Sequence, residues 1–355
     1  MLRSIHVENL RCIADAALEF DRHATGIVGA NASGKTSLLE AVYFLAHGRS
    51  FRTVERQKLV RSGERYLRVV ASVADAASRT VILGTEYRED ALTIHVGGQP
   101  VSTVSEAAAR LPVQVVDPGV HRLIEEGSSR RRKLLDWGVF HVEHAFVDTW
   151  RRYQRALQQR NALLRQGSPE AFLKVWDEEL ATNAELIDAQ RASYFSRLST
   201  ELRTLVAQLV DANITAEYHR GWPAGESLGE ALARNRARDL RVRTTTLGAH
   251  RADIQFLTGR VPARDRISRG QQKMLASALV LASVAATAGS SSSPTCLLLD
   301  DPAAELDVDN LGKLLAALRS LRAQLVVTAV TEAGLKGLPI GRGFHVEQGR
   351  VRPMV

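Results

Sequence analysis

The sequence predicts an α/β protein built on a phosphate-binding loop and interrupted by a mostly helical insertion. Three observations carry this. Gly29-Ala30-Asn31-Ala32-Ser33-Gly34-Lys35-Thr36 matches G-x-x-x-x-G-K-[ST]. Far downstream an apolar strand, Leu297-Leu298-Leu299, runs into two carboxylates, Asp300-Asp301. Between them, from about residue 120 to residue 213, strand signals vanish and long patterns rich in Arg, Gln, Glu and Leu take over.

The elements follow in order. Residues 2–7, 17–20 and 25–28 alternate or cluster as strands, and the last feeds the glycine loop. Ser37 to about His47 has apolar residues at helical spacing, and Gly48-Arg49-Ser50-Phe51-Arg52-Thr53 is a basic loop. Residues 67–73, 80–87 and 91–96 read as an antiparallel sheet with a turn at Gly97-Gly98, and 113–116 as a further short strand. Helices are expected at 129–136, 145–166, 171–209 and 228–240, broken at Gly167-Ser168-Pro169, with no sustained heptad. After residue 244 the α/β character returns. A buried helix at 274–288 leads to a polar loop at 289–294, a buried strand at 296–299, a helix at 311–321, a strand at 324–328 and a hairpin around Gln348-Gly349. The expected domains are therefore 1–117 and 244–355, the two parts of a head, around an inserted helical domain at 118–243.

Composition narrows the function. The chain has 355 residues, 45% hydrophobic and 24% charged, enough for a sizeable core. Its formal net charge of +8 favours an anionic partner, nucleic acid or membrane surface, with genome-wide Arg and Ala bias as the plainer source. Cys12 and Cys296 make no metal-ligand spacing and imply a reducing cytosol. The start of the chain reads as a strand, not a signal peptide, and the longest apolar run is too short for a bilayer, so a cytoplasmic protein without membrane segments is expected.

The chemistry points to a nucleoside triphosphate. Backbone N–H groups of Gly29, Ala30, Asn31, Ala32, Ser33 and Gly34, with the helix start at Ser37, suit an anion. Lys35 would reach the β/γ-phosphates and Thr36 would hold Mg²⁺. Lysine here is informative because the chain has few Lys among its 47 basic residues. Asp300, at a buried strand tip, suits Mg²⁺, and Asp301 suits polarisation of the attacking water; capping of the helix after Pro302 is the alternative. Ser268-Arg269-Gly270-Gln271-Gln272 precedes the apolar helix and makes a second anion site. One chain has no need of two γ-phosphate sites, whereas two chains closing on each other's ATP do. Ala304-Glu305-Leu306-Asp307 would then cross the seam of a homodimer.

These motifs, in this order, resemble those of ATP-binding-cassette ATPases. With Gly48-Arg49-Ser50-Phe51-Arg52, Arg130 to Trp137, Gly248-Ala249-His250-Arg251-Ala252-Asp253 and Asp300 to Asp307, the chain resembles the RecF family of the SMC-like branch along its whole length. The resemblance implies an ABC-type ATPase head, with a mixed sheet, flanking helices and an antiparallel β subdomain, around the helical insertion. It implies an ATP-dependent homodimer on double-stranded DNA and its junctions with single strands. It also implies slow ATP hydrolysis, and work with RecR and RecO to load recombinase at gaps. It offers Gln114 as a metal-coordinating glutamine, with a solvent-facing strand Gln as the alternative, Arg11 near adenine, and His250 with Arg251 near phosphates or the dimer seam, with a loop His and a solvated Arg as the alternative.

Departures from the family pattern are Ala32 for Gly, Ala249 for Pro and Ala252 for an acid. Asp301, where most cassettes have Glu, is shared by RecF-like proteins, and Ala329 replaces the γ-phosphate-sensing His of transporters. If position 32 needs positive φ, alanine there costs about 1 kcal/mol. Candidate DNA contacts are Arg49 and Arg52, Arg130 to Lys133, Arg151 and Arg152, and Arg234, Arg236, Arg238, Arg241 and Arg243, any of which is otherwise a solvated face. A transporter subunit, a small-molecule kinase and a non-hydrolysing chromosome-binding module are the rival readings. Ala329 speaks against the first, and Ser268 to Gln272 is unexplained by the second.

Overall fold

The structure, a computed structural model, describes every residue except Ala76, Ser78, Ser291, Ser292 and Val355. Of the polar loop expected at 289–294, Ser291 and Ser292 thus lie outside the described residues. The chain forms two compact units, Met1–His121 with Ser277–Val355, and Arg122–Ala276. The return to the first unit therefore comes at Ser277, not at the expected 244. The reason is local: the strands that follow residue 244 pair with one from the insertion itself.

The first unit begins with β1 (Leu2–Leu10), β2 (Ile13–Glu19) and β3 (Ala24–Val28), then α1 (Lys35–His47). Next come β4 (Tyr66–Ala74), β5 (Thr80–Arg88), β6 (Ala91–Val96), β7 (Gln99–Val101), α2 (Val104–Arg110) and β8 (Val113–Val116). In the second unit α3 (Arg122–Glu125), α4 (Ser128–Val142), α5 (Phe146–Gln166) and α6 (Glu170–Leu209) precede β9 (Thr215–His219) and α7 (Leu228–Val242). β10 (Asp253–Thr258), β11 (Val261–Pro262) and α8 (Arg269–Thr287) follow, and the chain passes back into the first unit within α8. There it adds β12 (Thr295–Leu299), α9 (Pro302–Glu305), α10 (Val308–Ser320), β13 (Ala323–Ala329), β14 (Ile340–Glu347) and β15 (Arg350–Pro353).

Two six-stranded sheets build the first unit. One is antiparallel, in the order β2-β1-β4-β5-β6-β7. The other, β15-β14-β3-β13-β12-β8, is parallel except for β15. All five residues of β3 and of β12 are buried, as expected of interior strands in a parallel sheet. α1 packs against strands of both sheets and is buried nearly all round, through Leu38, Leu39, Phe44 and Leu45. Gly34, with φ 118°, precedes α1, and Gly48, with φ 59°, closes it through a bond to the Phe44 carbonyl.

The second unit is mostly helical. α5 and α6 form an antiparallel pair, and the 40 residues of α6 run roughly 60 Å. Its small sheet, β11-β10-β9, joins the end of the insertion to the segment after residue 244. Among the described residues no helix is long and apolar enough to cross a membrane.

Candidate nucleotide site

β3, β13 and β12 are parallel neighbours in register, Thr328 opposite Ile27 and Val327 opposite Leu299. Their C-terminal tips therefore align, which is where open α/β sheets present a site. From these tips come the glycine loop, Thr328 and the two aspartates. Gly29 is required by close packing: a Cβ there would lie 2.2 Å from the Val346 carbonyl oxygen and 2.7 Å from Ser33 Oγ. Its N–H donates to the Ala329 carbonyl at 3.2 Å, tying the loop to the end of β13. Ala32 has φ 61°, so the strain expected from its replacement of glycine is present.

Lys35 is nearly buried, and its ammonium donates to the carbonyls of Gly29 at 2.7 Å and Ala30 at 2.9 Å. Thr36 donates to Asp300 Oδ1 at 2.9 Å and Oδ2 at 3.0 Å. The pair predicted to share a metal is thus already in contact across 264 residues of sequence. Thr328 donates to Asp300 Oδ1 at 3.0 Å and accepts from the Asp301 N–H at 2.9 Å, so one hydroxyl sets both aspartates. Nothing in a single strand of sequence singles out Thr328, except that it is a hydroxyl at the tip of an apolar run.

Asp301 stands at the N-cap position of α9 in the left-handed region, φ 47° and ψ 56°, with no side-chain capping bond. A non-glycine residue in this conformation marks stored strain. Burial raises its pKa above the usual carboxylate range, the Lys35 ammonium pulls it back, and the Asp300 charge pushes it up again. A carboxylate with a raised pKa is suited to accept a proton from water.

The register does not bring Gln114 to this site. Gln114 pairs with Leu297, three residues below Asp300, or about 10 Å down the strand. What meets Asp300 from β8 is the Val116 carbonyl, which accepts the Asp300 N–H at 3.0 Å. Arg11 is also differently used. Its guanidinium binds both oxygens of Glu40, Nε at 3.0 Å and NH2 at 2.9 Å. Glu40, a fully buried carboxylate in the apolar face of α1, also accepts from Ser50, whose hydroxyl in turn accepts the Arg52 N–H at 2.8 Å. A lone acid inside an apolar helix was the available signal for this hub. Cys12, the residue after Arg11, is exposed, and its Sγ lies 3.9 Å from the Ser33 carbonyl and 4.0 Å from Ser37 Oγ.

In the second unit, Ser268 and Gln271 form a reciprocal capping box at the start of α8. Ser268 Oγ accepts the Gln271 N–H at 3.2 Å and Gln271 Oε1 accepts the Ser268 N–H at 2.9 Å. Arg269 and Gly270 are exposed. A Cβ on Gly270 would meet only Ser268 Oγ, at 3.8 Å, so nothing among the described residues requires glycine there. Asp307 caps α10 by accepting the Asn310 N–H at 2.8 Å, and this bond lowers its pKa below the usual carboxylate range.

The basic patches divide. Arg131 makes a bidentate pair with Asp253 at 2.8 and 3.0 Å, Arg236 binds Glu170 and Asp177, Arg234 binds Glu226, and Arg130 binds Glu126. Of these, Arg131 and Arg236 are structural and leave the set of candidate DNA contacts. Arg152, Arg238, Arg241 and Arg243 are exposed and, among the described residues, carry no hydrogen bond or ion pair. His250 is also structural: its Nε2–H donates to the Thr245 carbonyl at 3.0 Å and its Nδ1 accepts the Tyr153 hydroxyl at 2.6 Å. Burial pushes its pKa down to about 4, so it stays neutral.

A family model for the RecF/RecN/SMC N terminal domain matches residues 1–345. The chain is 35% identical over 354 residues to a DNA replication and repair protein RecF from Shewanella pealeana, covering 99% of this chain and 98% of that one. It is 38% identical over 330 residues to the protein of that name from Hydrogenovibrio crunogenus, covering 92% and 91%. A solved structure of the recombination mediator protein RecF with ATP in the RecFOR pathway superposes with a TM-score of 0.89 at 26% identity, over 100% of this chain and 97% of that one. An SMC head bound to the C-winged helix domain of ScpA shares the fold, with a TM-score of 0.61 at 16% identity over 99% and 97%. The mixed α/β fold is that of RecF and SMC heads, and the chain belongs to the RecF family of RecF/RecN/SMC proteins.

Proposed function

We propose that the chain is a cytoplasmic, ATP-dependent DNA-binding switch of recombinational repair and replication-fork maintenance. ATP sits on Gly29 to Ser37, with Lys35 on the β/γ-phosphates. Mg²⁺ fits Thr36 and Asp300, a hydroxyl and a carboxylate converging on one point, and would neutralise phosphate charge there. Asp301 accepts the proton of the attacking water. Its short side chain and Ala329 at the end of β13 suit slow hydrolysis, as in a timer.

The observation that carries the reading beyond nucleotide binding is Gly270. It sits exposed in the first turn of α8, where glycine costs up to roughly 1 kcal/mol relative to alanine and packing among the described residues demands nothing. Close approach by a second molecule explains it. Ser268, Arg269, Gly270 and Gln271 of one copy then close over the γ-phosphate held by another, and the homodimer clamps double-stranded DNA or its junctions with single strands. Two relatives solved with ATP or its analogue bear the name recombination mediator of the RecFOR pathway, which supports RecR and RecO as partners and recombinase loading at gaps as the outcome.

Light scattering with and without ATP tests this. Mass should double with ATP and fall back as it is hydrolysed. Asp301→Asn should bind ATP and keep the dimer at least ten times longer, because proton acceptance contributes on the order of 10²-fold or more. A mass indifferent to ATP would sink the clamp.

A further inference from the structure

We propose that Arg132 and Arg251, brought together by α4 and the 3-10 turn Ala249–Arg251, form a binding site for a phosphate group. This rests on the reading of the chain as a DNA- and nucleotide-binding protein and names one place where that binding is made.

The turn is unusually well anchored. Gly248 has φ 133°, and a Cβ there would lie 2.7 Å from the Tyr153 hydroxyl. That hydroxyl donates to His250 Nδ1 and accepts the His250 N–H at 3.1 Å, while Nε2–H holds the Thr245 carbonyl. The buried Arg191 donates to the Ala249 carbonyl at 2.6 Å, and Arg132 donates to the Ala252 carbonyl at 2.7 Å. The residues on both sides of Arg251 are therefore fixed, yet its own side chain is exposed. Among the described residues it makes no hydrogen bond or ion pair.

Charge accounting shows the same asymmetry. Two neighbouring guanidinium groups are neutralised by bidentate carboxylates, Arg131 by Asp253 and Arg191 by Asp136. Arg132 is not: its acceptors are the Ala252 carbonyl and the Ser128 hydroxyl, both neutral. Its pKa is lowered, first by burial and then by the Arg191 cation, with Arg251 adding to this and Asp253 and Asp136 opposing. Arg132 is thus held against the carbonyl of the residue that follows Arg251, within electrostatic reach of that second cation, while the nearby Asp253 and Asp136 are each taken up by another guanidinium. Such an arrangement is destabilising alone and favourable once an anion enters. Arg matches the geometry of a phosphate oxygen pair, and rigid backing lowers the ordering cost of binding.

The phosphate belongs to a DNA backbone or to a nucleotide, and the test separates them. Duplex DNA binding is measured across a salt series for wild type, Arg251→Gln, Arg132→Gln and both together, each checked for unchanged melting temperature. Arg251→Lys and Arg22→Gln, the latter an exposed cation in the β2–β3 turn, serve as controls. For a DNA phosphate, the slope of log K against log salt drops by about one for Arg251→Gln and about two for the pair. Arg251→Lys then keeps most of the slope, and ATP affinity is untouched. For a nucleotide phosphate, the DNA slope stays and ATP-driven dimerisation weakens at least tenfold. Unchanged slope and unchanged dimerisation in Arg251→Gln overturn the site, as does an equal loss in Arg22→Gln. A wild type that binds neither DNA nor ATP instead overturns the function on which the site rests.

Discussion

Lys35 and Arg160 are both nearly buried cations, 7% and 0% exposed, and they live by opposite rules. Arg160 lies between α5, α6 and α7 and is neutralised by carboxylates, with only its NH2 left without a hydrogen-bond partner. It donates to Asp177 at 2.6 Å, Asp239 at 2.7 Å and Thr245 at 2.8 Å, with Arg236 closing on Asp177 at 3.0 Å. Lys35 donates only to two neutral carbonyls. A buried charge satisfied by acids of its own chain is architecture. A buried charge held by neutral acceptors is stabilised further when an anion arrives. The pairs Arg131 with Asp253 and Arg132 with Ala252 repeat the contrast on successive residues of α4.

The comparison predicts its own sharpest break. Arg160→Met leaves the buried Asp239 without its cation and Asp177 with Arg236 alone, and should cost about 3–5 kcal/mol, read as a large fall in the urea midpoint. Lys35→Met should leave that midpoint within about 1 kcal/mol while abolishing ATP binding. Equal destabilisation by both would erase the distinction.

A second prediction concerns pH. His47, stacked 4.3 Å from Tyr43 and bonded to the Val113 carbonyl, has its pKa pushed down to about 4 by burial, with the Arg49 cation adding to it. The folded chain therefore stays unprotonated at His47 and His250 where the unfolded chain, near 6.5, takes up protons. The stability they contribute is complete above about pH 6.5 and is lost as pH falls towards 4. It is worth up to about 3 kcal/mol for each histidine. His47→Gln should flatten the acid limb of a melting-temperature profile, and an unchanged limb would remove His47 from this account.

Smaller effects test the fit of backbone to ligand. Gly270→Ala should raise stability by roughly 0.5–1 kcal/mol and yet impair ATP-driven dimerisation. A gain in both would mean that no second surface approaches α8 there. Ala32→Gly relieves the left-handed strain but loosens the unfolded chain, for a net change within about 0.5 kcal/mol. Calorimetric melting should show little shift, and a large loss would mean that the Ala32 methyl makes contacts of its own.

What was legible in the sequence was whatever is contiguous. The glycine loop, the Leu297 to Asp301 strand and the helix start at Ser268 are each written within a few residues, because their chemistry is set by backbone geometry over one turn or one strand tip. What was not legible depends on which way a helix turns. Arg130 to Lys133 reads as one basic run, but each step rotates the side chain by about 100°, so Arg131 meets Asp253 while Arg132 does not. Gln114 failed for a related reason: pairing register, not spacing, decides which strand residues share a level. The Glu40 hub and the Arg160 network join residues 10 to 85 apart, beyond any local pattern.

Cys12 gives the molecule a native optical handle. Its thiol is exposed at the edge of the glycine loop, whereas Cys296 is buried and its pKa is pushed up to about 12. A small maleimide dye should therefore attach at one place without engineering. Its emission would report on the loop between Ser33 and Ser37 as nucleotide is added.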